Sequence, residues 1–181
     1  ALISSGRIDE VVEHLRGAVA EGRQAYWVCP LVEESEAVDL ALRLARAATG
    51  RRDVIALRGG YHGWTTATDE ITTALNDNPN ALQTRPPWVH LAEMPNTYRG
   101  QHRGADAGSR YADDLRELVA GMVAEGVPPG AFVAEALSGN AGGVLLPDGY
   151  LGAAYAAVRS AGGLAIADEV QVGYGRTGHH W

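Results

Sequence analysis

Apolar residues return every three or four positions in several stretches of the chain, and alternate with short continuous apolar runs. Ile8, Val11, Val12, Leu15 and Val19 share one helical face with Gly22 beyond as a stop signal, which predicts a helix over about 7–21. Ala37, Leu40, Ala41, Leu44 and Ala48 do the same over 35–49, with Ser35 as the expected N-cap and Gly50 as the C-terminal stop. Tyr111, Leu115, Leu118, Val119 and Met122 define a third such face, and further helices are expected over about 150–161 and 65–75. Between them lie runs with the length and composition of buried strands: Ala25–Cys29 closed by Pro30, Val54–Leu57, Trp88–Ala92, Ala131–Ala136 and Leu164–Ala167. Gly59–Gly63 reads as a glycine-rich loop, Asn76–Pro87 as a polar loop and Pro95–Gly108 as another.

Strands that alternate with helices of this length pair in parallel through right-handed crossovers, so the expected fold is α/β, a mostly parallel sheet with helices on both faces. No internal repeat is present. The 181 residues, 46% of them apolar and 20% charged, suit a single globular unit and exclude disorder, collagen and coiled coil.

Charge narrows the function classes. Fifteen basic residues against 22 acidic ones give a net charge of −7, which argues against a general nucleic-acid binder. All fifteen are arginines. Chemistry that needs a lysine amine, including Schiff-base catalysis and phosphate binding by a P-loop, is therefore closed to these residues. The single cysteine, Cys29, excludes an internal disulfide and a multi-cysteine zinc site. No run approaches the roughly 20 apolar residues that span a bilayer, and no secretory leader is recognised, so a cytoplasmic location is expected.

In open parallel sheets ligands bind beyond the carboxyl ends of the strands. Four places qualify: Asp168-Glu169 after Leu164–Ala167, Glu135 in the strand from Ala131, Gly59–Gly63 after Val54–Leu57, and Glu33–Glu36 after Ala25–Cys29. Asp168 is either a helix cap or partner of Arg176, or a carboxylate that holds a cationic ring nitrogen. Glu135 is either half of a structural ion pair or part of the same site. Tyr61-His62-Gly63 is either a tight turn or a place where backbone comes close to a flat ligand stacked on the tyrosine. No metal site is expected, because His179 and His180 are adjacent and neither HExxH nor CxxC spacing occurs. Ser138-Gly139 lacks the GxSxG nucleophile elbow, and no catalytic residue is assigned.

From Ser35 onward the motifs fall into a known order. Ser35–Arg46, Gly60-Tyr61-His62-Gly63, Asn96–Gly100, Gly149-Tyr150-Leu151 and above all Ala167–Gly178 resemble class III aminotransferases, pyridoxal-phosphate enzymes of fold type I. Pro87–His90 and Tyr98-Arg99-Gly100 are most similar to the branch of ethanolamine-phosphate phospho-lyase and alanine–glyoxylate aminotransferase-like proteins. The resemblance implies part of the large domain and pyridoxal 5'-phosphate as cofactor. It also implies a small amine or amino acid and a keto acid as substrates, and a homodimer in the full-length family. By the same resemblance Asp168 bonds the pyridinium nitrogen, Gln171 meets the phenolic oxygen and Tyr61 stacks on the ring with His62 beside it. Glu135 lies near cofactor and substrate, and Ser35 belongs to a phosphate-binding turn at a helix N-terminus.

The family turn reads roughly Asn-Ser-Gly-Ser-Glu-Ala, whereas Val32-Glu33-Glu34-Ser35-Glu36-Ala37 stands here, and two carboxylates there weaken phosphate binding. The family's Schiff-base lysine is expected in a segment beyond Trp181, so this chain is expected to be a truncated piece, inactive alone. Residues 1–36, especially Glu21–Glu36, resemble a segment of RecG-type branch-migration helicases, which suggests a chimera of a 1–36 piece and a 35–181 piece. A non-catalytic assembly module and a helicase fragment are the alternative functions. Neither a Walker A motif nor an acidic metal-binding motif supports an ATPase.

Overall fold

The computed structural model describes residues 8–21, 34–173 and 175–178. Its elements follow the order α1 (Ile8–Ala20), α2 (Glu34–Thr49), β1 (Val54–Leu57), α3 (Thr66–Ile71), α4 (Ala81–Thr84) and β2 (Val89–Ala92). Then come α5 (Ala107–Ala124), β3 (Ala131–Glu135), β4 (Leu137–Ser138), β5 (Val144–Leu145), α6 (Tyr150–Ser160) and β6 (Leu164–Asp168). Four strands form one parallel sheet in the order β2-β1-β3-β6, and β4 and β5 pair separately as a small antiparallel ribbon.

The central strands are apolar throughout apart from Glu135 at the end of β3, because both faces of the sheet are covered. Ile55, Leu57, Phe132 and Ala134 point to one side, where they pack with Tyr111, Leu115, Ala154 and Val158 of α5 and α6. Val54, Ala56, Ala131 and Val133 point to the other side, against Val38, Leu42 and Ala45 of α2 and Ile71 of α3. The alternation is the period-two geometry of a strand, with each face handed to a different helix layer. Helix α2 ends where expected: Gly50 takes φ +68° and its N–H donates to the Arg46 carbonyl at 2.8 Å. No helix among the described residues is long and apolar enough to cross a membrane.

Several boundaries differ from the sequence expectation. Helix α2 already includes Glu34, so Ser35 is its second residue rather than its cap. The helix expected over 65–75 stops at Ile71, and Thr72 turns extended with ψ 121°. The expected polar loop 76–87 contains the single helical turn α4. The ribbon β4–β5 was not anticipated, since two-residue strands carry no readable period. The strand expected at Ala25–Cys29 and the residues Glu33, His179 and His180 lie outside the described residues.

Candidate functional site

Register places two carboxylates side by side. β3 and β6 are parallel neighbours with Glu135 opposite Asp168, and each residue is the last of its strand. Both side chains are buried. Strand β1 ends on the same edge of the sheet and runs into Gly59–Gly63, so Tyr61 and His62 arrive beside the carboxylates. A small cleft open to solvent results, lined among others by Tyr61, His62, Glu135, Asn140, Asp168 and Gln171. Five of the six sequence-selected site residues therefore meet here. Ser35 lies at the start of α2, where its side chain is outside the description.

The two carboxylates are held differently. Asp168 Oδ2 meets His62 Nδ1 at 2.8 Å, and Asp168 Oδ1 accepts the Val170 N–H at 3.2 Å. The partner suggested by sequence, Arg176, is exposed and takes no part in this bonding; the Val170 bond is the local turn that an aspartate makes two residues on. Glu135 is not half of an arginine ion pair: Oε1 accepts the Tyr61 N–H at 3.2 Å and Oε2 the Gly139 N–H at 2.9 Å. Burial raises the Glu135 carboxyl above its ordinary range. The two amides and nearby His62 pull it down, while Asp168 adds to the rise. Glu169, beside them, is likewise raised by burial and by Asp168.

His62 has one nitrogen on Asp168, while its Nε2 is buried and without a hydrogen-bond partner. Gly60 makes room for that ring, since a Cβ there would stand 3.2 Å from Nε2. The Tyr61 ring meets Trp64 edge-on with centroids 6.3 Å apart. Across the cleft, Asn140 Nδ2 donates to Asp77 Oδ2 at 2.9 Å and ties the β4–β5 turn to the segment after α3. Gln171 is exposed at the rim. Among the described residues no group of histidine, cysteine and carboxylate side chains is placed to hold a metal ion.

Asn140, Thr72 and Thr73 were missed from sequence. Asn140 sits in a glycine-flanked turn with no motif to single it out, and the two threonines lie inside a stretch whose period reads as helix. The break in that period, two β-branched polar residues directly after Ile71, is the one available signal.

Comparison with known proteins adds to this geometry. The sequence model described as aminotransferase class III matches residues 11–181, a span that includes most of the segment likened above to a helicase. A Drosophila melanogaster protein named alanine–glyoxylate aminotransferase 2-like is 42% identical over 179 residues, covering 96% of this chain and 36% of that protein. A Caenorhabditis elegans protein named ethanolamine-phosphate phospho-lyase homolog 1 is 39% identical over 158 residues, covering 81% of this chain and 34% of its own length. The chain thus spans about a third of the curated relatives it matches. A crystal structure of an amine transaminase from an uncultivated Pseudomonas species, in its pyridoxal-phosphate-bound form, superposes with a TM-score of 0.73 at 27% identity. That match covers 99% of this chain and 42% of the other. With its parallel sheet, its paired carboxylates at the strand ends and this match over nearly its whole length, the chain belongs to the class III aminotransferase family.

Proposed function

We propose that the cleft is the ring-holding part of a pyridoxal 5'-phosphate site, in an enzyme that moves or eliminates groups at the amine carbon of a small amine or amino acid. The observation that supports it most is the buried Asp168 carboxylate. Each of its oxygens has one donor and keeps a further lone pair, with a second carboxylate at the adjacent register position. Two buried carboxylates side by side are costly unless donors or a cation join them. A protonated pyridine nitrogen is a flat cationic donor that the remaining lone pairs of Asp168 can accept, so the residues present fit the ring.

Bound there, pyridoxal 5'-phosphate supplies an electron-withdrawing ring that stabilises negative charge at the amine carbon. Asp168 would accept the ring N–H and keep that nitrogen protonated. Tyr61 would stack on the ring, and Gln171 at the rim would donate to the phenolic oxygen. Glu135 holds the Tyr61 backbone in place and faces the substrate side. The first turn of α2 around Ser35 would face the phosphate, where helix amides and the macrodipole favour an anion while Glu33 and Glu34 oppose it. A keto acid serves as amino acceptor where the reaction is a transamination, and a phosphorylated amine is the substrate where it is an elimination. Two copies assemble around the site, consistent with exposed Trp64, Leu75 and Leu145 on the segments that carry the cleft. These 181 residues hold no lysine, so the amine that completes the chemistry has to come from outside them.

A titration of the 181-residue chain with pyridoxal 5'-phosphate, read by absorbance and by quenching of Trp64 next to Tyr61, tests the proposal. Wild type saturates, and Asp168→Asn, which keeps the shape but removes the charge, binds at least about tenfold more weakly. No amino transfer accompanies binding. Equal affinity of wild type and Asp168→Asn sinks the assignment.

A further inference from the structure

The loop that carries Tyr61 and His62 has left β1 and lies mostly buried, with Gly60, His62 and Gly63 all inaccessible. It is neither helix nor strand, so its backbone groups need partners from elsewhere. Two adjacent threonines supply them. Thr72 Oγ1 accepts the His62 N–H at 2.9 Å and donates to the Gly63 carbonyl at 3.2 Å. Thr73 Oγ1 accepts the Gly59 N–H at 2.7 Å and donates to the Leu57 carbonyl at 2.8 Å. The N–H groups of Thr73 and Ala74 both donate to the Gly60 carbonyl, at 2.8 and 3.1 Å. Each hydroxyl thus gives its one proton and accepts one N–H, and both side chains are fully buried.

We propose that Thr72 and Thr73 are positioning residues, whose hydroxyls set the path of Gly59–Gly63 so that His62 meets Asp168 and Tyr61 meets Glu135. The end of α3 makes this possible. Thr72 leaves the helix in an extended conformation while its own N–H still bonds back to Thr68 and Asp69, so the pair is anchored to a capped helix. β-Branching restricts χ1 and holds each hydroxyl in one direction, which an unbranched serine does less firmly. On the opposite side the loop hangs from the carboxylates through Tyr61 N–H to Glu135 and His62 Nδ1 to Asp168. A shift of about 1 Å at the His62 backbone carries a 2.8 Å contact beyond hydrogen-bonding range, so the threonines control whether Asp168 keeps its side-chain donor. The link to a cofactor ring rests on the function proposed above; the link to His62 and Asp168 does not.

Nuclear magnetic resonance of the 181-residue chain without cofactor separates the two. In wild type the amides of Gly59 and His62 exchange as slowly as that of Ile55 in β1, and the His62 Nδ1 proton gives a downfield resonance. Exchange of those amides at the rate of exposed Gly104 overturns the proposal without any variant. Thr72→Val speeds exchange of the His62 amide, and Thr73→Val that of Gly59, by about tenfold or more. Both shift or abolish the His62 ring signal and leave the Ile55 and Val133 amides unchanged. Thr72→Ser and Thr73→Ser restore the ring signal. Folded valine variants with wild-type loop signals overturn the proposal, as do folded serine variants that lose the ring signal. Repeating the pyridoxal 5'-phosphate titration on these proteins then tests the cofactor link. Absence of binding by wild type removes the cofactor reading and leaves the resonance result standing.

Discussion

Two aspartate–histidine pairs of almost equal length sit at opposite ends of one sheet. At the carboxyl end His62 and Asp168 are 2.8 Å apart with side chains 1% and 6% exposed; at the amino end His90 and Asp53 are 2.9 Å apart, 22% and 24% exposed. The contact is the same, and its surroundings are not. Asp53 and His90 have water to replace whatever bond is lost, so their pairing constrains little. Asp168 stands beside a second buried carboxylate, under a loop whose backbone is tied to Thr72, Thr73 and Glu135. The candidate site is distinguished from the other end of the sheet by the cost of its charges and the rigidity of their neighbours, and a short hydrogen bond alone does not reveal that difference.

The largest expected effect comes from Asp168→Ala. It leaves the His62 Nδ1 proton and the Val170 N–H without their partner in a mostly buried setting, at about 1–3 kcal/mol for each lost partner, and relief of the repulsion with Glu135 returns part of that. A net loss of about 2 kcal/mol in urea unfolding is expected. A stability equal to wild type would show that the buried pair is no more constrained than the partly exposed one.

Glu135 gives a smaller effect that sharpens the same contrast through pH. Burial holds its carboxyl above the ordinary glutamate value of about 4.3, so above that value the folded chain retains a proton the unfolded chain has released. The stability contributed by this group is fully present at lower pH and declines as pH rises through the raised value. Glu135→Gln removes that decline, and the stability curve measured from pH 4.5 upward becomes flatter than that of wild type. A curve parallel to wild type would mean that Glu135 titrates as a solvated carboxyl does.

Much of this architecture was legible in the sequence, and the reasons are local. The continuous apolar runs at Val54–Leu57 and Ala131–Ala134 announced a sheet covered on both faces, and the periodic faces of α2, α5 and α6 gave the covering layers. Carboxylates at the ends of such strands marked Glu135 and Asp168, and the glycines around Tyr61-His62 marked a close approach of backbone. What joins them was not legible. His62 and Asp168 are 106 residues apart, and no local pattern says that an imidazole rather than Arg176 will reach the carboxylate. Thr72 and Thr73 looked helical because hydrophobic period cannot register hydroxyls that serve a neighbouring loop. The Asn140–Asp77 bond, across 63 residues, is hidden for the same reason. Ser35 was misread by two positions because Ser and Glu both suit the first turn of a helix, and the cap preference alone does not fix the start.

The smallest effect is expected at the other end of the comparison. Asp53→Ala removes the partner of His90, but both groups are partly open to water, and pairs that keep some hydration contribute about 0–1 kcal/mol. A loss below about 0.5 kcal/mol is expected, shrinking further as salt screens what remains. Pyridoxal 5'-phosphate binding is left unchanged, because Asp53 lies at the end of β1 away from the cleft. The double variant with Asp168→Ala tests the independence of the two ends: the separate losses add when the sheet transmits nothing between them. A loss at Asp53 as large as that at Asp168 would break the comparison, since it would make sheet geometry rather than burial the source of the constraint at Asp168.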